Sequence, residues 1–201
     1  MNYLKEYDII VVLMTNGTAN PELSKTPETS KLFPLTAQSL ERSLARISED
    51  PQSAFINESK AMGLDNPALS LGLKILIQTL KPDEGVFTEG ALWTHKLLRE
   101  QAEMLGEKVP VMSPEIWRAH MHDQMEATRK SAIKNPNAGK YDHTIQQIEE
   151  ISAQDPEFGK ALKILTKYRA GQEHFYAGAI NTYLPIKKAS ESERLKKQFN
   201  L

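Results

Sequence analysis

From residue 35 onward, apolar residues recur every three or four positions, the period of helices that bury one face. Leu40, Leu44 and Ile47 form one such stripe. Four dipeptides punctuate the pattern: Asp50-Pro51, Asn66-Pro67, Ser113-Pro114 and Asp155-Pro156. In each, the first side chain can accept a free helical N–H, while proline occupies a position that has no intrahelical N–H partner to lose. The pattern predicts helices over 36–48, 51–62, 67–80, 89–106, 114–134, 141–153 and 156–170, with shorter ones over 172–183 and 188–198. Two of them echo each other. "NPALSLGLKILIQTL" and "DPEFGKALKILTKYR" both place Leu-Lys-Ile-Leu six residues after the proline. Either an old duplication or convergence on one helix recipe produces such a match.

The pattern before residue 35 is different. "DIIVVLM", residues 8–14, is continuous and β-branched, and "TNGT" follows as a turn signal, so a strand is expected there. Residues 15–34 are rich in Thr, Ser, Pro and Asn and read as a long polar loop. The expected fold is therefore mainly α: an irregular helical bundle with one short N-terminal strand candidate and a long polar N-terminal loop. The organisation expected is a strand or arm and loop over 1–34, a helical domain over 35–186, and a charged helix or tail over 187–201.

Composition narrows the chemistry. A chain of 201 residues, 40% hydrophobic and 25% charged, suffices for a core without disulfide or structural metal. There is no cysteine, which excludes thiol nucleophiles, thiolate zinc sites and disulfides. The 25 basic and 26 acidic residues leave a net charge of -1, which argues against nucleic acid as a partner. One basic cluster, Lys187, Lys188, Arg194, Lys196 and Lys197, is diluted by Glu191 and Glu193. The longest apolar run, residues 9–14, is too short for a transmembrane segment, and "MNYLKEYD" before it is no positively charged leader. A cytoplasmic protein is expected. The ending "SESERLKKQFNL", residues 190–201, is similar to C-terminal signals carried by some bacterial secreted effectors, and that resemblance implies export through this end.

The densest candidate chemistry is "WRAHMHDQME", residues 117–126. Each residue of a helix turns about 100°, so His120 and His122 point roughly 200° apart and cannot share one ion. The pairs that share a face are His120 with Asp123 and His122 with Glu126. His122 and Glu126 are the metal candidates. His120, His122, Glu173 and His174 are the acid/base candidates, the last two from "YRAGQEHFYAGAINTY", where Gly171 and Gly178 permit close approach of a helix or ligand. No H-E-x-x-H occurs. The plainer expectation is a buried Trp117–Met121–Met125 stripe, with His122 in solvent and His120 at the packing boundary, held by Asp123. His95, between Leu92 and Leu98, reads as another boundary histidine.

A second candidate is "VLMTNGTANPE", residues 12–22, whose Thr15, Asn16 and Thr18 could collect an anion at a turn. The stretch resembles the Thr-ending strand of haloacid-dehalogenase-like phosphatases. That family also uses closely spaced aspartates after an earlier strand. Asp8 has no second aspartate two residues on, and no repeated strand–helix units follow, so an ordinary turn is the expectation.

These features favour a helical interaction or regulatory module without catalytic activity, in the manner of a bacterial effector or accessory protein. It would need no cofactor and would work through a protein partner or self-association. The alternative is a metal-dependent or general acid/base hydrolase assembled from histidines and carboxylates on separate helices.

Overall fold

The computed structural model describes residues 31–137, 139, 142–166 and 171–199. Among these it is an all-helical bundle with no β-strand, as the period of the sequence predicts. The eight helices are α1 (Ala37–Glu49), α2 (Pro51–Asp65), α3 (Pro67–Leu80), α4 (Glu84–Met104), α5 (Pro114–Lys134), α6 (Asp142–Gln154), α7 (Pro156–Thr166) and α8 (Gln172–Phe199). The strand candidate 8–14 lies outside the described residues.

Capping chemistry sets most boundaries. Asp50 accepts from the Ser53 N–H at 3.1 Å, Ser113 from Ile116 at 3.3 Å and Asp155 from Phe158 at 3.2 Å. Asn66 departs from this role and makes no side-chain cap bond. Its amide instead donates to the Pro110 carbonyl at 3.0 Å and accepts from the Met112 N–H at 3.1 Å. A loop distant in sequence thus claims the side chain that would have capped α3.

Two helices differ most from the predicted lengths. α4 begins at Glu84 rather than 89, because Asp83 caps it through the Val86 N–H at 3.2 Å and Phe87 is fully buried. The segments 172–183 and 188–198 are one helix that runs through Pro185. Proline removes one backbone donor from a helix interior. In the turn before it, the Asn181 amide donates to the Ala177 carbonyl at 2.8 Å and the Thr182 hydroxyl to the Gly178 carbonyl at 3.0 Å. Ile186 and Ala189 beyond the proline are buried, so tertiary packing holds the helix on its course.

α4 and α8 form the central pair, and glycine sets how close they come. A Cβ on Gly90 would strike the Phe175 carbonyl, and one on Gly178 the Phe87 carbonyl. Around this crossing, Trp93 lies 6.1 Å from Phe158 and 6.4 Å from Phe175, ring centre to ring centre. The other side of α4 buries charge. Glu58 of α2 meets His95 at 2.6 Å and Arg99 at 2.7 Å; Glu100 meets Lys96 at 2.8 Å and Arg46 of α1 at 2.9 Å. Burial pushes the Glu58 carboxyl upward, but hydrogen bonds from His95 and Arg99, with the positive charge of Arg99, more than reverse it, and it stays below the ordinary carboxylate value. His95 is thus a fully buried hydrogen-bond partner of Glu58, not a boundary residue.

Candidate functional site

The predicted reactive side chains stand apart. His120 is 1% exposed, and its Nε2 lies 2.9 Å from the Asn181 Oδ1 of α8. Asp123 does not hold it; that carboxylate pairs with Lys188. His122 is on the solvent side, 3.8 Å from Asp123, and Glu126 pairs with Arg129 at 3.1 Å. The buried positions of α5 are His120 and Gln124, and Met125 is 69% exposed. The buried stripe is therefore rotated from the expected Trp117–Met121–Met125 line. Trp117 and Met121 are half-buried against the core, with the Trp117 indole over Gly72 of α3, where a Cβ would collide with it, so Met125 is the one residue of the expected line that leaves the packed face.

His174 sits at the start of α8, accepting the Asp83 N–H at 3.3 Å and lying 3.5 Å from Glu173. His143 lies 3.3 Å from the Thr128 hydroxyl. Among the described residues, no group of three histidines, aspartates or glutamates gathers to hold a metal. Thr15, Asn16 and Thr18 lie outside the described residues.

What the fold does assemble is a cavity of about 230 Å³ beneath the Phe33–Pro34 segment. One wall is a single face of α8, on which Tyr183, Lys187, Ser190, Glu191 and Arg194 recur at helical spacing. Gln154 and Asp155, at the corner between α6 and α7, also line it. Asp155 is the organiser. Besides capping α7, its Oδ2 accepts from the Leu35 N–H at 2.9 Å and the Tyr183 hydroxyl at 3.3 Å. Burial raises its pKa, against these hydrogen bonds and the nearby Lys187. Burial likewise raises Tyr183, reinforced by Asp155, so the phenol keeps its proton. The Tyr183 ring stacks on Phe158 at 4.5 Å and takes the edge of Phe33 at 5.2 Å.

Reasoning from sequence missed this cavity. Asp155 reads as a helix cap and Lys187 and Arg194 as part of a dilute charged tail. The available signal was the Tyr183, Lys187, Ser190, Arg194 spacing, legible only if one helix is carried across Pro185.

A second surface is apolar. On α3, Leu69, Leu73 and Leu76 are buried, yet Leu71 and Ile75 are 61% and 48% exposed. Leu64, near the end of α2, and Val111, between the Pro110 and Met112 that Asn66 clamps, are also exposed.

In comparison with known proteins, the chain matches no family model, no curated protein and no solved structure. Among the described residues, no helix is long and apolar enough to cross a membrane.

Proposed function

We propose that the chain is a helical recognition module without catalytic activity, which docks an amphipathic helix of another protein on the outward face of α3. The exposure of Leu71 and Ile75 carries this reading. α3 has one charged residue, Lys74, in its fourteen. A helix that is apolar on both sides is normally covered on both sides. Residues one turn apart are the anchors read in helix-in-groove recognition. Lys74, exposed beside them, favours a partner with an acidic residue flanking its apolar stripe. The place of action we assign is the cytoplasm, and export through residues 190–201 is tested by fusing them to a reporter and assaying the medium.

The docking test places a photo-crosslinking residue at position 71 in the cells that make the protein. Adducts with a helix of another protein are expected, and Ile75→Asp should weaken them by about thirtyfold, the equivalent of roughly 2 kcal/mol of lost burial. Adducts only with a second copy, matched by a dimer in light scattering, would replace the partner with self-association. Equal crosslinking from an exposed position on α6, such as Glu149, would sink the assignment of the surface.

A further inference from the structure

The outward face of α3 is short of cover, and the chain holds a segment whose chemistry fits it. Pro67, Leu71, Ile75 and Gln78 recur along that face at helical spacing and are exposed, with Lys74 beside them. Lys74 has no acidic partner among the described residues. Other exposed apolar side chains make poorer seats. Met125 and Ile133 on α5 have the Arg129–Glu126 ion pair between them, and Ile145 and Ile164 are each the one exposed large hydrophobic of α6 and α7.

The longest apolar run of the chain, Ile9 to Met14, follows Glu6 and Asp8. An apolar stripe with an acidic flank is the chemistry that Leu71, Ile75 and Lys74 would recognise. Fully extended, the six residues would span about 20 Å, against about 17 Å along α3 from Pro67 to Gln78. Among the described residues there is no β-strand with which such a run could pair.

The segment is also within reach. Sixteen residues separate Met14 from Lys31 and span at most about 55 Å. Phe33 meets Tyr183 of α8, and Asn181 on the same helix meets His120 of α5. Trp117, beside His120, lies over Gly72 of α3. Only two helices, at about 10 Å each, therefore stand between Phe33 and α3.

We propose that residues 8–14 cover the outward face of α3 within the same molecule, with Asp8 towards Lys74, so that a helix of another protein must displace them. This rests on the reading of α3 as a docking surface and names its resident occupant. The partner's access is then set by the fraction of molecules in which the segment is off the face.

The full chain has no cysteine, so Thr15→Cys gives a single thiol for a nitroxide next to the run. Amide NMR should show relaxation enhancement at Leu71, Lys74 and Ile75 at least about threefold above that at Ile145 and Ile164. Val11→Asp and Ile75→Asp should each remove the excess; if Ile75→Asp loses helix content, Val11→Asp decides. Lys74→Glu should lower the excess by about twofold, the scale of one exposed ion pair, and adding Asp8→Lys should restore it. Val11→Asp should also raise partner adducts at position 71 by about threefold or more. Enhancement at α3 no greater than at α6 and α7, an excess that survives Val11→Asp, a charge swap that restores nothing, or enhancement only between labelled and unlabelled copies in a mixed sample would each overturn the proposal. Failure of the docking reading is distinct: no adducts with another protein, while Val11→Asp still removes the excess at α3, would remove the partner and keep the contact within the chain.

Discussion

His120 shows how much one residue's surroundings decide. Burial lowers its pKa to about 4, against the Asn181 hydrogen bond and the Asp123 charge; Lys188 pushes in the same direction as burial. The unfolded chain restores it to near 6.5. Between those values the unfolded state takes up a proton that the folded state refuses. The stability this neutral imidazole contributes is therefore fully present above pH 6.5 and falls as pH is lowered towards 4. Urea unfolding should show about 2 kcal/mol less stability at pH 5 than at pH 7.5 from this residue alone. His120→Gln should flatten that part of the profile, and an unchanged slope in the variant would exclude His120 as its source. His122, two residues on, is exposed, and its replacement by alanine should leave stability within about 0.5 kcal/mol. Helical phase separates the two histidines in the sequence itself. What it does not reveal is that Asn181, 61 positions away, is the partner of the buried one.

At the scale of elements, the crossing of α4 and α8 depends on two missing side chains. Gly178→Ala places a methyl on the Phe87 carbonyl, and backbone cannot yield as a side-chain tip can. The variant should lose about 3 kcal/mol in chemical denaturation, at the upper end of ordinary overpacking. Gly63→Ala is the control: nothing lies within 4 Å of its Cβ position, and alanine favours a helix interior, so a gain of about 0.5–1 kcal/mol is expected. Helix starts were legible in the sequence wherever local capping decided them, as at Pro51 and Pro114. They were not legible where a distant contact intervened. Pro185 reads as a break because its lost donor is local information, while the burial that carries α8 past it is not.

At the scale of the molecule, the helices are unequally anchored. α4 buries most of its length, and α8 crosses it with Phe175, Ile180, Tyr183 and Ile186 fully buried. α5 buries only His120 and Gln124, both polar. Regions with few buried apolar contacts open at lower free energy than the core. Hydrogen exchange should therefore find the central amides of α4 and α8 opening only with global unfolding. Those of α5 should exchange earlier, through a partial opening that releases Trp117 from Gly72. Equal protection in both would mean that α5 is held by more than these contacts.

The sequence by itself determined the helical class, most helix starts, the absence of cysteine chemistry and the divergence of His120 from His122. All of these follow from neighbours within one or two turns, where period, caps and proline act directly. Only the tertiary structure decided which face of α5 is buried, that α8 is continuous, that Glu58 and His95 meet in the interior, and that Asp155 joins Leu35, Phe158 and Tyr183 around one cavity. Those outcomes depend on which helices meet and how closely. Gly72, Gly90 and Gly178 set that closeness by what they lack, and the side chains that fill the resulting space come from segments far apart in the chain.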